Sequence, residues 1–165
     1  MDIAGNVYVA DGSNNRIVRF NPTNFAGTFT TFGSFGSGSG QFSTPSGIAV
    51  DSAGKVYVAD RFNSRIDRFD PTNFAGTFTS YGSFGNGSGQ FNQPTGVTVD
   101  SAGNVYVAEA GGNSRIASFS PSNFAGTFAT LEPPVPATGS FMARPVSRWT
   151  VRETSMSRTK AMPGL

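Results

Sequence analysis

GNVYVAD at residues 5–11, GKVYVAD at 54–60 and GNVYVAE at 103–109 are one block written three times, at a constant spacing of 49 residues. A period in the 20–50 range is the mark of stacked supersecondary units. The copies agree well outside the block. Arg16-Ile17 returns as Arg65-Ile66 and, after a one-residue insertion, as Arg115-Ile116. Phe20, Phe69 and Phe119 follow at constant distance, and NFAGTF occurs at 24–29, 73–78 and 123–128. FGSFGSGSGQF at 32–42 returns as YGSFGNGSGQF at 81–91. Repeats therefore run approximately 1–42, 43–91 and 92–130, and residues 131–165 match none of them. A residue that recurs in every copy is read first as scaffold, whatever chemistry it could perform.

The central copy shows what one unit builds. Gly47-Ile48-Ala49-Val50 is a short β-branched run, and Asp51-Ser52-Ala53-Gly54 has the composition of a hairpin turn. Val56-Tyr57-Val58-Ala59 is a second strand whose two faces are both apolar, so both faces expect cover. Arg61-Phe62-Asn63-Ser64 turns into a third strand, Arg65 to Phe69, and Asp70-Pro71-Thr72-Asn73 breaks the pattern before a fourth, Thr77 to Tyr81. A Gly/Ser stretch from Gly82 to Gln90 reads as a flexible connection to the next unit. Four short antiparallel strands covered on both sides describe a blade of a β-propeller. A parallel β-solenoid is the competitor, but its coils are shorter and need no three hairpin turns. The chain is thus expected to be all-β. It reads as an open fragment of a β-propeller with about three four-stranded antiparallel blades over 1–130 and an irregular C-terminal tail.

PSGIAVDSAGKVYVADRFNSRIDRF at 45–69 resembles the NHL repeat. The resemblance rests on the Pro-x-Gly opening, the apolar-Asp end of the first strand, the Gly-x-Val-Tyr-Val-Ala-Asp block, and Asn-x-Arg-Ile with its closing Phe. PTGVTVDSAGNVYVAEAGGNSRIASF at 94–119 is similar, with Glu109 in place of Asp, and residues 1–20 match from mid-repeat onward. The resemblance implies a propeller, commonly six-bladed, of a family that mostly binds proteins, nucleic acids or glycans. A minority of that family are lyases or hydrolase-like enzymes.

Both ends read as cut. Met1 aligns with Val50, so the first unit starts inside a blade without its first strand. The tail fits a fourth repeat in a shifted frame. With synonymous codons chosen to suit, Arg152–Leu165 read from the third base gives GNVYVADEGNARV, close to 49 residues after the third copy. The same shift turns Pro145–Thr150 into GIAVD and Pro136–Phe141 into GNGQF. A Pro-rich linker with a basic tail is the other reading. An open stack leaves blade faces uncovered, and self-association through them is expected.

Composition narrows the function. Phe (16) and Gly (21) are heavily used, as short strands with tight turns require. No His and no Cys occur, which rules out Ser-His-Asp and Cys-His catalysis, thiolate metal sites, and the His-held zinc of NHL-like amidating lyases. Residues 1–130 carry seven Lys/Arg against eight acids, whereas the tail carries five against two. The basic balance therefore sits outside the repeats, and the clustered cations of a nucleic-acid surface are not there. No apolar run is long enough to suggest membrane insertion. The repeats favour Ser, Thr, Asn and Gly, which leans toward an extracytoplasmic parent protein.

Each candidate residue has two readings. Asp51 and Asp100 could serve calcium or acid–base chemistry, as in lactonase-like propellers, but the same Asp begins a turn in every copy, Asp2 included. Asp11–Arg16 and Asp60–Arg65 could clamp a substrate or form structural ion pairs. GSGSG at 36–40 lacks the Lys-Ser/Thr of a phosphate loop, and Asn86-Gly87-Ser88 is a lone glycosylation sequon. The Phe ladder is expected to be core. The copies differ most in the second turn, at Gly12-Ser13, Arg61-Phe62-Asn63 and Gly111-Gly112. In NHL-like propellers this turn lies on the face that commonly binds ligands, and Arg and Phe are favoured contact residues. The expectation is a non-enzymatic module that binds a protein or glycan, without cofactor or metal. The alternatives are a fragment of a lyase- or lactonase-like propeller enzyme whose catalytic residues lie in other blades, and a truncated gene product with no function of its own.

Overall fold

The computed structural model describes residues 1–112, 114–132 and 150–152. The chain runs β1 Val7–Asp11, β2 Arg16–Phe20, α1 Phe25–Thr28, β3 Thr30–Phe32, β4 Ser34–Phe35, β5 Gln41–Phe42 and β6 Pro45–Val50. It continues through β7 Val56–Asp60, β8 Arg65–Phe69, α2 Phe74–Thr77, β9 Thr79–Tyr81, β10 Ser83–Phe84, β11 Gln90–Phe91 and β12 Pro94–Val99. The last elements are β13 Val105–Glu109, β14 Ile116–Phe119, α3 Phe124–Thr127, β15 Ala129–Glu132 and β16 Thr150–Arg152. Blade 1 is the antiparallel sheet β1-β2-β3, blade 2 is β6-β7-β8-β9, and blade 3 is β12-β13-β14-β15 with β16 added at its outer edge.

Local chemistry sets the strand ends. Gly54 sits at φ +77° with its N–H donating to the Asp51 carbonyl, and a Cβ there would touch nothing, so only the left-handed backbone calls for glycine. Blade 2 pairs Val56 with Phe69, Val58 with Asp67 and Asp60 with Arg65, which fixes which side chains share a face.

Two features depart from the sequence reading. NFAGTF, taken there as a break followed by strand, forms a single helical turn in each blade. The Asn73 side chain caps it by accepting from the Gly76 N–H, and a Cβ on Gly76 would fall 2.6 Å from that same oxygen. The Gly/Ser connections, expected to be flexible, are built structure. Ser34 and Phe35 pair in parallel with Gln41 and Phe42, and the Gln41 side chain accepts from the Gly38 N–H at 2.9 Å. At the other end of the chain, Thr150, Val151 and Arg152 pair antiparallel with Glu132, Leu131 and Thr130 and extend blade 3. An open sheet edge offers unpaired N–H and C=O groups that such a segment satisfies. The rest of the shifted-frame reading of the tail lies outside the described residues.

The blades stack through two equivalent apolar seams. In the first, Tyr8, Ala10, Ile17 and Phe32 of blade 1 face Val56, Val58 and Phe69 of blade 2. In the second, Tyr57, Ala59, Ile66 and Tyr81 of blade 2 face Val105, Val107 and Phe119 of blade 3. Each seam is closed by an aromatic quartet. Phe42 lies 6.5, 6.4 and 5.7 Å from Phe69, Phe74 and Phe78, and Phe91 repeats this against Phe119, Phe124 and Phe128. All five residues of β7 are buried, so cover on both faces is realised in the middle blade. Phe35 and Phe84, expected in the core with the rest of the ladder, are instead exposed, although each pairs with a fully buried ring, Phe42 and Phe91.

Candidate functional site

Two of the three recurring acid–arginine pairs are clamps on the connections between blades. In blade 2, Asp60 is fully buried and its carboxylate accepts from Ser43 N–H (2.7 Å), Asn63 Nδ2 (2.7 Å) and Arg65 Nε (3.2 Å). Held this way, the Arg65 guanidinium donates to the carbonyls of Ser37, Gly38 and Gln41 at 2.6, 3.3 and 2.7 Å. Blade 3 repeats the device: Glu109 holds Arg115 at 2.7 Å, and Arg115 donates to the carbonyls of Asn86 and Gln90. The structural ion pair is therefore what the geometry builds, and the Gly/Ser segments are its substrate.

The recurring Asp51 and Asp100 are equally occupied. Asp51 Oδ1 accepts from the N–H groups of Ala53 and Lys55, and Oδ2 from the Tyr57 hydroxyl. Asp100 does the same, and the Asn104 amide beside it holds its carboxyl below the usual carboxylate range. These are Asx-type turns. At that end of blade 2, Lys55 pairs with Asp70 at 2.6 Å beside Arg68, Phe69 and Thr77. Among the described residues no group of three or more acids is placed to hold a metal.

One acid was missed because it does not recur. Asp67 stands where the other copies carry Val18 and Ala117, fully buried on the face that blade 2 turns to blade 1. It accepts from Arg65 Nε and from the Ser80 hydroxyl, so one guanidinium serves two buried carboxylates. Burial, reinforced by neighbouring Asp60, pushes the Asp67 carboxyl up to about 8 against the opposing pull of Ser80 and Arg65. The visible signal was a charge at an apolar register position. The folded chain binds this proton more tightly than the unfolded chain. Its contribution to stability is thus complete below about pH 4 and is lost as the pH rises through about 8. Unfolding midpoints measured from pH 4 to 9 should fall across that window, and Asp67→Asn should flatten the slope.

The second turns come together as one row. Gly12-Ser13-Asn14 is a single 3-10 turn, and a Cβ on Gly12 would lie 2.8 Å from the Pro45 carbonyl at the start of blade 2. The Phe62 N–H donates to the Ser43 carbonyl, Arg61 Nη2 to Gln93 Oε1 at 3.1 Å, and the Gly111 N–H to the Asn92 carbonyl. Each turn thus lies beside the segment leading into its own or the next blade. Asn63 is drawn into the clamp through Gly36 and Asp60. Gly111 is packed against Asn92 and Gln93, while Ser13 and Gly112 are exposed and small. Phe62 remains 57% exposed, with the Arg61 guanidinium 5.3 Å over its ring.

Stacked antiparallel sheets of three, four and five strands, packed face to face, define blades of a β-propeller, here an open set of three. The NHL repeat family model matches this chain at two positions, residues 42–69 and 91–119. Similar solved structures include virginiamycin B lyase from Staphylococcus aureus, at 22% identity and a TM-score of 0.58 over 82% of this chain and 40% of that one. A streptogramin B lyase (19%, TM-score 0.60, 82% and 39%) and the nidogen/laminin complex (15%, TM-score 0.58, 79% and 44%) are also similar. At these identities the likeness is one of fold. The chain spans about 40% of the length of the lyases it matches. No curated protein matches the sequence.

Proposed function

We propose that this chain is a non-enzymatic NHL-type binding module that meets a protein or glycan through its row of second turns, with Arg61 and Phe62 as the principal contacts. One observation carries the reading: a large aromatic is held out to solvent under a guanidinium anchored to Gln93, on the face where the copies differ. An exposed Phe–Arg pair presents apolar area and a charge together, the combination that dominates interface energetics. The recurring acids, by contrast, are already committed to turns and clamps. Lyases among the similar folds support a second reading, a fragment of a propeller enzyme whose catalytic residues lie in other blades.

An array of glycans and extracellular protein domains, run beside a panel of lactones and esters, separates the two. Saturable binding to one class with no turnover is expected. Turnover that disappears in Asp51→Asn or Asp100→Asn would replace the binding reading with the enzymatic one.

A further inference from the structure

The two ends of the stack are complementary halves of the seam that already occurs twice inside it. In both seams the Tyr–Ala face of one blade packs on the Val–Val face of the next. Blade 1 presents an uncovered Val–Val face: Val9 is 43% exposed where its counterparts Val58 and Val107 are fully buried. Blade 3 presents an uncovered Tyr–Ala face: Ala108 is exposed and Tyr106 and Ile116 are half-buried, where Ala59, Tyr57 and Ile66 are buried.

The polar half of the seam is prepared as well. Asp11 holds Arg16 at 2.8 Å as Asp60 holds Arg65. Yet Arg16 donates to no carbonyl among the described residues, and its side chain is 39% exposed against 12% for Arg65 and 5% for Arg115. Phe20, Phe25 and Phe29 form the trio of rings that elsewhere receives Phe42 or Phe91, without a fourth ring among the described residues.

We infer that blade 1 is the docking surface for blade 3 of a second copy of this chain, and that two copies close head to tail into a six-bladed ring. The contact is heterologous, so it must either close or propagate. Propeller rings close with roughly four to eight blades. Two copies fall inside that range and three do not. The new seam reproduces the internal ones: Tyr106, Ala108 and Ile116 of one copy cover Val7 and Val9 of the other.

Sedimentation velocity of the full chain tests this, with Val9→Asp and Ala108→Asp as variants. Both positions are exposed, so each variant should keep the far-ultraviolet spectrum of the parent. The parent should sediment at twice its 17.2 kDa, and each variant alone at 17.2 kDa. An equimolar mixture of the two variants should recover the dimer, because one intact face remains on each. A monomeric parent, a ladder of larger species, or a dimer that survives Ala108→Asp would each overturn the inference.

Discussion

Replacing Arg65 with alanine should destabilise the chain by about 3–5 kcal/mol, the range for removing one partner of a buried ion pair. The fully buried Asp60 carboxylate and the neighbouring Asp67 carboxyl, kept protonated at neutral pH by burial, share this guanidinium, and three carbonyls of the connection between blades 1 and 2 accept from it. The loss therefore combines uncompensated buried charge with a connection released from its seam. Arg16→Ala removes the same residue type from the same register position, but its pair with Asp11 is open to water. That change should cost no more than about 1 kcal/mol. Urea unfolding of the two variants at pH 7 checks the contrast; similar small losses in both would remove the clamp from the energetics of the fold.

Phe69→Ala should be comparably damaging, at about 3–5 kcal/mol. Its ring is fully buried and touches Phe32, Phe42, Phe74 and Phe78, so truncation opens a cavity across the seam and not merely within one blade. Phe35→Ser and Phe84→Ser, in contrast, should each fall within about 0.5 kcal/mol, since both rings already lie in solvent. Thermal unfolding of the three variants is the measurement. A large loss at Phe35 would show that this ring is covered in solution.

Much of the scaffold was legible because its signals are short-range. Alternating Val-Tyr-Val-Ala with apolar residues on both faces, closed by an Asp-x-x-Gly turn, leaves few options, and the strands of blade 2 begin and end within two residues of where that pattern places them. NFAGTF was not legible as helix, since a single turn gives no periodicity and its Gly reads as a breaker. Only the Asn73 cap, which needs Gly76 close by, makes sense of both residues. The Gly/Ser segments looked like flexible linkers because composition hides what a backbone can offer. Their function is to present carbonyls to Arg65 and Arg115, a role no side-chain pattern displays. Reading recurrence as scaffold identified the clamps and turns correctly. The same rule drew attention away from Asp67, which stands out only when copies are compared column by column against Val18 and Ala117. The second turn, by the same comparison, stood out at once.

Binding affinity of a chain carrying Arg61→Gly with Phe62→Ser bears most directly on the proposal that recurring residues build the stack and the variable turn meets the partner. The double substitution gives the middle turn the residues of Gly12-Ser13, which the same register already accommodates in blade 1. Titration against the partner class selected on the array should show affinity reduced about tenfold or more, as for the loss of an interface hot spot. The unfolding midpoint should stay that of the parent. Undiminished affinity in a chain that remains folded would contradict the assignment of the binding face to this turn.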